Sequence, residues 1–193
     1  MDVKKYIYTN DHIISKKPLA RLKLWLDDHP KLFEQGTIVG AEKESLEQVK
    51  QIRNTQTLIL SNAHNSYTAR HWFSWLCAQF AMGAREYGKN YQFTSYPDQR
   101  ITDIQILKYE QTGHYKFHVD HCSTIPRTLS MILQLNEGFE GGELCFSNPD
   151  GSDPFQLSTK EGRLIVWPSL FLYPHMVTPV TKGIRYSIIC WTL

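Results

Sequence analysis

Past residue 100 the chain leaves almost no room for helices. Short runs rich in Ile, Val, Leu, Phe, Tyr and Trp follow one another, each cut by Gly, Pro, Asn or Asp before it reaches helical length. The pattern predicts strands near 101–110, 115–120, 127–136, 142–146, 163–167, 174–180 and 184–192, with the clearest loops at Glu110–Gly113 and Asn148–Ser152. Many short strands at that spacing fold as a sandwich or jelly roll. The final run, which contains Arg185, is expected to be an internal, paired strand.

The first hundred residues read differently. From Lys16 to Asp28, Leu19, Leu22, Trp25 and Leu26 recur at helical spacing, and Pro18 sits near the start, where proline is tolerated. Ala41–Arg53 is a second, more charged helical stretch, and Gln56–Ser61 reads as a strand. Asn62–Tyr67 is polar and loop-like. A long helix over Ala69–Tyr87 places Trp72, Trp75, Leu76, Phe80 and Ala84 on a stripe that belongs to a core. The turn-rich Thr94–Gln99 then marks the change of regime. The expected class is α+β, a double-stranded β-helix (jelly roll, cupin-like) over 101–193 supported by N-terminal helices within 1–100. The 193 residues suit a single catalytic domain, and 41% hydrophobic content allows a proper core.

Composition narrows the partners. A net charge of +2 without basic clusters gives no electrostatic case for nucleic acid. The N-terminus runs directly into polar residues and no stretch reaches the length of a membrane span, so a soluble, cytoplasmic protein is expected. Cys77, Cys122, Cys145 and Cys190 are far apart and form no CxxC, which argues for reduced thiols over a disulfide framework or a zinc site.

Chemistry concentrates in Tyr115-Lys116-Phe117-His118-Val119-Asp120. On a strand, His118 and Asp120 share one face while Phe117 and Val119 turn away. His175, 57 residues further on, offers a third ligand. Two histidines and one carboxylate on one side of a metal, with the opposite positions open, make the facial triad of non-haem Fe(II) oxygenases. His114 and His121 flank the pair, and either replaces a ligand if the strand register differs. Ten residues past His175, Arg185 and Ser187 share a strand face with Ile189 and Trp191. A guanidinium fork beside a hydroxyl suits a carboxylate, and a charge within an apolar barrel needs such a partner.

His-x-Asp, a distant His and then Arg-x-Ser together resemble the 2-oxoglutarate- and Fe(II)-dependent dioxygenases, specifically their prolyl 4-hydroxylase-like branch. The resemblance covers Ile101–Trp191 and includes the Gly141-Gly142-Glu143-Leu144 turn. It implies Fe(II) held by His118, Asp120 and His175, which are also the catalytic residues, with O2 as oxidant and 2-oxoglutarate as cosubstrate. The cosubstrate's distal carboxylate would meet Arg185 and Ser187, with Tyr109 and Gln134 near it; many relatives carry a tyrosine where Gln134 stands. Ascorbate could stimulate turnover. Tyr115, Arg127 and Trp191 match positions around the target proline. The implied reaction hydroxylates an unactivated C–H, foremost a prolyl residue in a peptide or protein, with release of succinate and CO2. The alternatives are a hydroxylase of free amino acids or other small molecules, then a nucleic-acid demethylase or a non-catalytic jelly-roll binding module.

Overall fold

The computed structural model describes residues 2–38, 45–62, 66–92, 100–121 and 124–193. The N-terminal part contains helices α1 (Lys16–Asp28), α2 (Leu46–Ile52) and α3 (Tyr67–Asn90), and four short strands: β1 (Tyr8–Asn10), β2 (Glu34–Gln35), β3 (Arg53–Asn54) and β4 (Gln56–Ile59). Ten more follow: β5 (Ile101–Tyr109), β6 (His114–His118), β7 (Leu129–Gln134), β8 (Glu140–Gly141), β9 (Leu144–Phe146), β10 (Phe155–Leu157), β11 (Leu164–Pro168), β12 (His175–Val177), β13 (Val180–Lys182) and β14 (Arg185–Thr192).

These strands make a large antiparallel sheet in the order β1-β11-β7-β14-β5-β4-β2 and a smaller one in the order β10-β9-β12-β6-β3, with β13 and β8 as a separate pair. The two sheets enclose a jelly-roll barrel. β14 lies in the middle of the large sheet between β5 and β7, so the strand with Arg185 is paired on both sides. Alternation then sorts its side chains. Tyr186, Ile188 and Cys190 face the helices, while Ile189 joins the barrel interior. On β7, Leu129, Met131 and Leu133 meet the helices and Ile132 turns into the barrel.

The helices form because one face of each can be buried against that sheet. Leu19, Leu22 and Leu26 of α1, and Leu76, Phe80 and Ala84 of α3, are fully buried. The Ser66 side chain caps α3 by accepting from the Ala69 N–H at 3.2 Å. α1 ends at Asp28, ahead of His29-Pro30, where a residue before proline leaves the helical region. The α1 limits match those read from the sequence, while α3 extends further at both ends. α2 begins at Leu46 with a capping box at Ser45; the 41–44 part of the predicted Ala41–Arg53 helix lies outside the described residues, as do Thr94–Gln99, Cys122 and the middle of the Asn62–Tyr67 loop. Among the described cysteines, Cys77, Cys145 and Cys190 are free. No helix among the described residues is long and apolar enough to cross a membrane.

Strands are not confined to residues past 100. β4 extends the large sheet beside β5, β1 pairs with β11, and β3 pairs with β6 in the small sheet. β1, β3 and β10 are two or three residues long, too short for alternation to stand out from the sequence.

The N-terminal segment is clasped to the barrel by Asp11. Its carboxylate accepts from Arg163 Nε and Nη2 at 2.7 and 2.9 Å and from Lys160 Nζ at 2.7 Å. Arg163, then Lys160, hold this carboxyl well below the usual range. A lowered folded-state pKa stabilises the fold above the unfolded value of about 3.9, and that contribution is lost as pH falls through the folded value. Asp11→Asn is therefore expected to cost on the order of 1–2 kcal/mol at neutral pH. The deficit should shrink in acid, which urea denaturation midpoints at about pH 7 and about pH 3 will test.

Candidate active site

His118 is the last residue of β6 and lies directly across the ladder from His175, the first residue of β12. Each imidazole turns its Nδ1 to a backbone carbonyl, His118 to Lys116 at 2.8 Å and His175 to Tyr173 at 3.1 Å. With Nδ1–H donating, both rings present an Nε2 lone pair on the same side. Asp120 completes the group: His118 Nε2 is 3.7 Å from its Oδ1 and His175 Nε2 is 3.5 Å from its Oδ2. All three ligating atoms fall within 4.8 Å of one another.

The sequence-based strand over 115–120 is longer than the observed one. β6 stops at His118, so Asp120 projects from the following segment and not from a pleat. Its carboxylate is aimed by neighbours. Ser130 Oγ donates to Oδ2 at 2.7 Å and shares a second bond with Ser169 Oγ at 2.8 Å, and Arg127 Nη1 donates to the Asp120 carbonyl at 3.0 Å. Phe117 and Val119 point outward and are exposed. His114 turns to the Thr112 and Gln51 carbonyls and His121 to the Arg127 carbonyl, so both lie outside the three-ligand cluster.

Electrostatics keep the cluster ready for a cation. Burial, helped by the nearby His175, holds His118 neutral, with its pKa down at about 3. Burial alone would raise the Asp120 carboxyl, but the two imidazoles, Ser130 and Trp191 outweigh it and the net shift is downward. Neutral imidazoles and a carboxylate are the protonation states that ligation needs.

Arg185 lies deeper, 1% exposed, on the barrel face of β14 and opposite Tyr109 in the register. Its Nη1 donates to Ser187 Oγ at 2.9 Å, its guanidinium is 4.9 Å from the Tyr109 ring centroid, and its Nε has no partner. Burial lowers its pKa, while Tyr109 opposes that shift. It forms no ion pair among the described residues, and a buried guanidinium without an anion is costly. Gly142, at φ +67°, makes room for it: a Cβ there would stand 3.0 Å from Arg185 Cδ. The Gly-Gly turn thus serves the arginine as well as the backbone.

A cavity of about 430 Å³ is lined by the triad with Tyr109, Tyr115, Arg127 and Trp191 among others, whereas Arg185, Ser187 and Gln134 are not part of its lining. Tyr115 stacks on His118 with centroids 3.6 Å apart, and the Arg127 guanidinium lies 3.6 Å over the Trp191 ring. Gln134 is buried, and its amide donates to the Asn136 and Tyr186 carbonyls. Among the lining residues that were not singled out from sequence as site residues are Ser130, Trp167 and Arg53. Ser130 sits on the polar face of β7 that alternation marks as interior. Arg53 gives no such hint at the end of a charged helical stretch.

Residues 104–193, just under half of the chain, match the profile of the 2OG-Fe(II) oxygenase superfamily. A PKHD-type hydroxylase of Synechococcus sp. (strain JA-2-3B'a(2-13)) is 30% identical over 121 residues, covering 58% of this chain and 52% of that protein. The chain spans about half the length of the curated relatives it matches. Among solved structures, a Pseudomonas putida prolyl-4-hydroxylase superposes with a TM-score of 0.69 at 19% identity, covering 96% of this chain and 91% of that one. A Trichoplax adhaerens prolyl hydroxylase in complex with a hypoxia inducible factor peptide fragment gives 0.72 at 16% identity, covering 97% and 83%. These likenesses establish the jelly-roll fold.

The donor set fits Fe(II), and the orphaned Arg185 Nε fits a ligand carboxylate. His118→Ala, Asp120→Ala and His175→Ala are each expected to abolish measurable Fe(II) binding. Ser130→Ala, which frees the carboxylate to rotate, should weaken Fe(II) binding by roughly 10- to 100-fold. Equilibrium dialysis of Fe(II) under anaerobic conditions tests both, and undiminished binding by the His175 variant would remove it from the ligand set.

Proposed function

We propose that this protein is an Fe(II)- and 2-oxoglutarate-dependent dioxygenase that hydroxylates a prolyl residue in a peptide or protein, releasing succinate and CO2. The observation that carries the reading is the position of a three-ligand cluster in one cavity, with a buried, acid-free guanidinium behind Tyr109. Bound Fe(II) with 2-oxoglutarate would supply the power to activate O2 and oxidise an unactivated C–H.

The chain's own residues bind, orient and exclude water. His118, Asp120 and His175 take one side of the cation and leave the other open. Arg185, Ser187 and Tyr109 take the distal carboxylate of 2-oxoglutarate, the guanidinium using its free Nε–H. Ile132, Trp167 and Ile189 give that end of the cavity an apolar wall, which strengthens the ionic contact inside it. Gln134, its amide committed to backbone carbonyls, acts on the cosubstrate by holding β7 against β14.

Beside the cluster, Tyr115, whose ring stacks on His118, and Trp191, whose ring lies under Arg127, supply aromatic surface for a pyrrolidine ring, and Arg127 offers donors to a substrate carbonyl. The peptide-bound state of the Trichoplax enzyme supports a polypeptide substrate over a small one. Ascorbate would serve as an external reductant.

Two outcomes follow. Arg185→Lys keeps the charge but loses the fork, so the 2-oxoglutarate KM should rise roughly ten- to a hundredfold while Fe(II) binding persists, the equivalent of about 1.5–3 kcal/mol. With a panel of proline-containing peptides, the wild type should add one oxygen atom by mass. Trp191→Ala and Arg127→Ala should depress that addition far more than peptide-independent 2-oxoglutarate decarboxylation. Normal peptide hydroxylation by both variants, or free amino acids outcompeting every peptide, would replace this reading with the small-molecule one.

A further inference from the structure

The cavity is lined by a buried arginine that the proposed reaction does not use. Arg53, the first residue of β3, is 8% exposed and lines the same cavity as the triad. Its guanidinium stands 4.9 Å from the centroid of Tyr115, the ring that stacks on His118. It forms no ion pair among the described residues; Glu34 shares the cavity but lies exposed at its rim and is not paired with it. Arg127, by contrast, approaches the Asp120 carboxylate at 4.0 Å.

Arg53 is also held in place before any ligand arrives. Nε donates to Thr55 Oγ1 at 3.2 Å, Nη1 to the Thr37 carbonyl at 2.8 Å and Nη2 to Thr57 Oγ1 at 3.4 Å. Of the five N–H donors of a guanidinium, one on each terminal nitrogen remains for a further acceptor. Among the described residues, every partner in place is a neutral oxygen. Gly36 closes the cradle: its N–H donates to the Thr55 carbonyl at 2.8 Å, and a Cβ there would sit 2.5 Å from Thr55 Oγ1 and 3.1 Å from Arg53 Nε. The segment can approach this closely only because residue 36 has no side chain.

We propose that Arg53 is a specificity residue for an acidic side chain of the peptide substrate, placed within a residue or two of the hydroxylated proline. This rests on the peptidyl-proline reading above. A desolvated guanidinium with a donor left on each terminal nitrogen suits a carboxylate in charge and in donor count. Its fixed rotamer spares the ordering that a flexible cation would need on binding. Arg53 touches substrate but no reacting atom, so it selects the peptide without entering the chemistry.

The test uses fluorescence anisotropy on the full chain with Mn(II) and 2-oxoglutarate present. The probes are labelled single-proline peptides bearing Glu or the isosteric Gln at each of the flanking positions. One position should favour Glu over Gln by about tenfold or more. Arg53→Gln should bring that ratio to about one. Arg53→Lys should keep part of it, and Gly36→Ala, which displaces the cradle while keeping the arginine, should reduce it. A flat Glu-to-Gln ratio in the wild type, or a Glu preference that survives Arg53→Gln, overturns the proposal. So does an Arg53→Gln variant that weakens Glu and Gln peptides equally, since that marks a backbone or structural contact. The two readings separate cleanly. Oxygen added to proline peptides with a flat ratio counts against Arg53 alone, whereas a ratio that persists when alanine replaces proline counts against the prolyl reading alone.

Discussion

A guanidinium enclosed between two sheets, with no acid paired to it among the described residues, is the group the barrel has to accommodate. Arg185 cannot sit there unless β14 is central, because only a strand paired on both sides turns an entire face away from water. A Cβ at residue 142 would crowd it, and among the described residues it is not fully satisfied, since Ser187 accepts from one N–H and the Nε–H has no partner. Folding therefore finances an unmet charge with the apolar contacts on either side of the sheet. Two clusters provide them, one beneath α1 and α3 and one between the sheets.

The helices matter to the chemistry through this sheet. Their leucines and aromatic residues cover Tyr186, Ile188 and Cys190, which fixes the parity of β14 and sends Arg185, Ser187 and Ile189 inward. A one-residue slip would carry the arginine into the helical layer. Tyr109 and Ile132 follow from the same logic on the neighbouring strands, so one buried interface on the far side aligns three strands on the near side.

Much of this was legible in the sequence, for identifiable reasons. The α1 limits followed from Leu19, Leu22 and Leu26 with His29-Pro30 as the stop, and the strands that carry the ligands followed from alternation. For His114 and His121, the two alternatives to the cluster, the fold shows rings turned to backbone carbonyls, a contact that sequence spacing cannot reveal. The support of Asp120 was hidden for a related reason: Ser130 and Ser169 belong to distant segments brought together by the pairing of β7 with β11. Arg53 was invisible because the strand it opens has two residues, and its environment is built from Gly36, Thr37, Thr55 and Thr57, none of which looks like a binding motif.

The position of Asp120 outside the ladder separates architecture from reactivity. The two histidines belong to paired strands, so altering the backbone there disturbs the sheet, whereas the carboxylate hangs from a short connecting segment and is steadied by side chains. The jelly roll thus fixes the two imidazoles through its ladder and leaves the carboxylate of the cluster to a short segment and the side chains that steady it, so the geometry of the group can change at one residue without a change of scaffold.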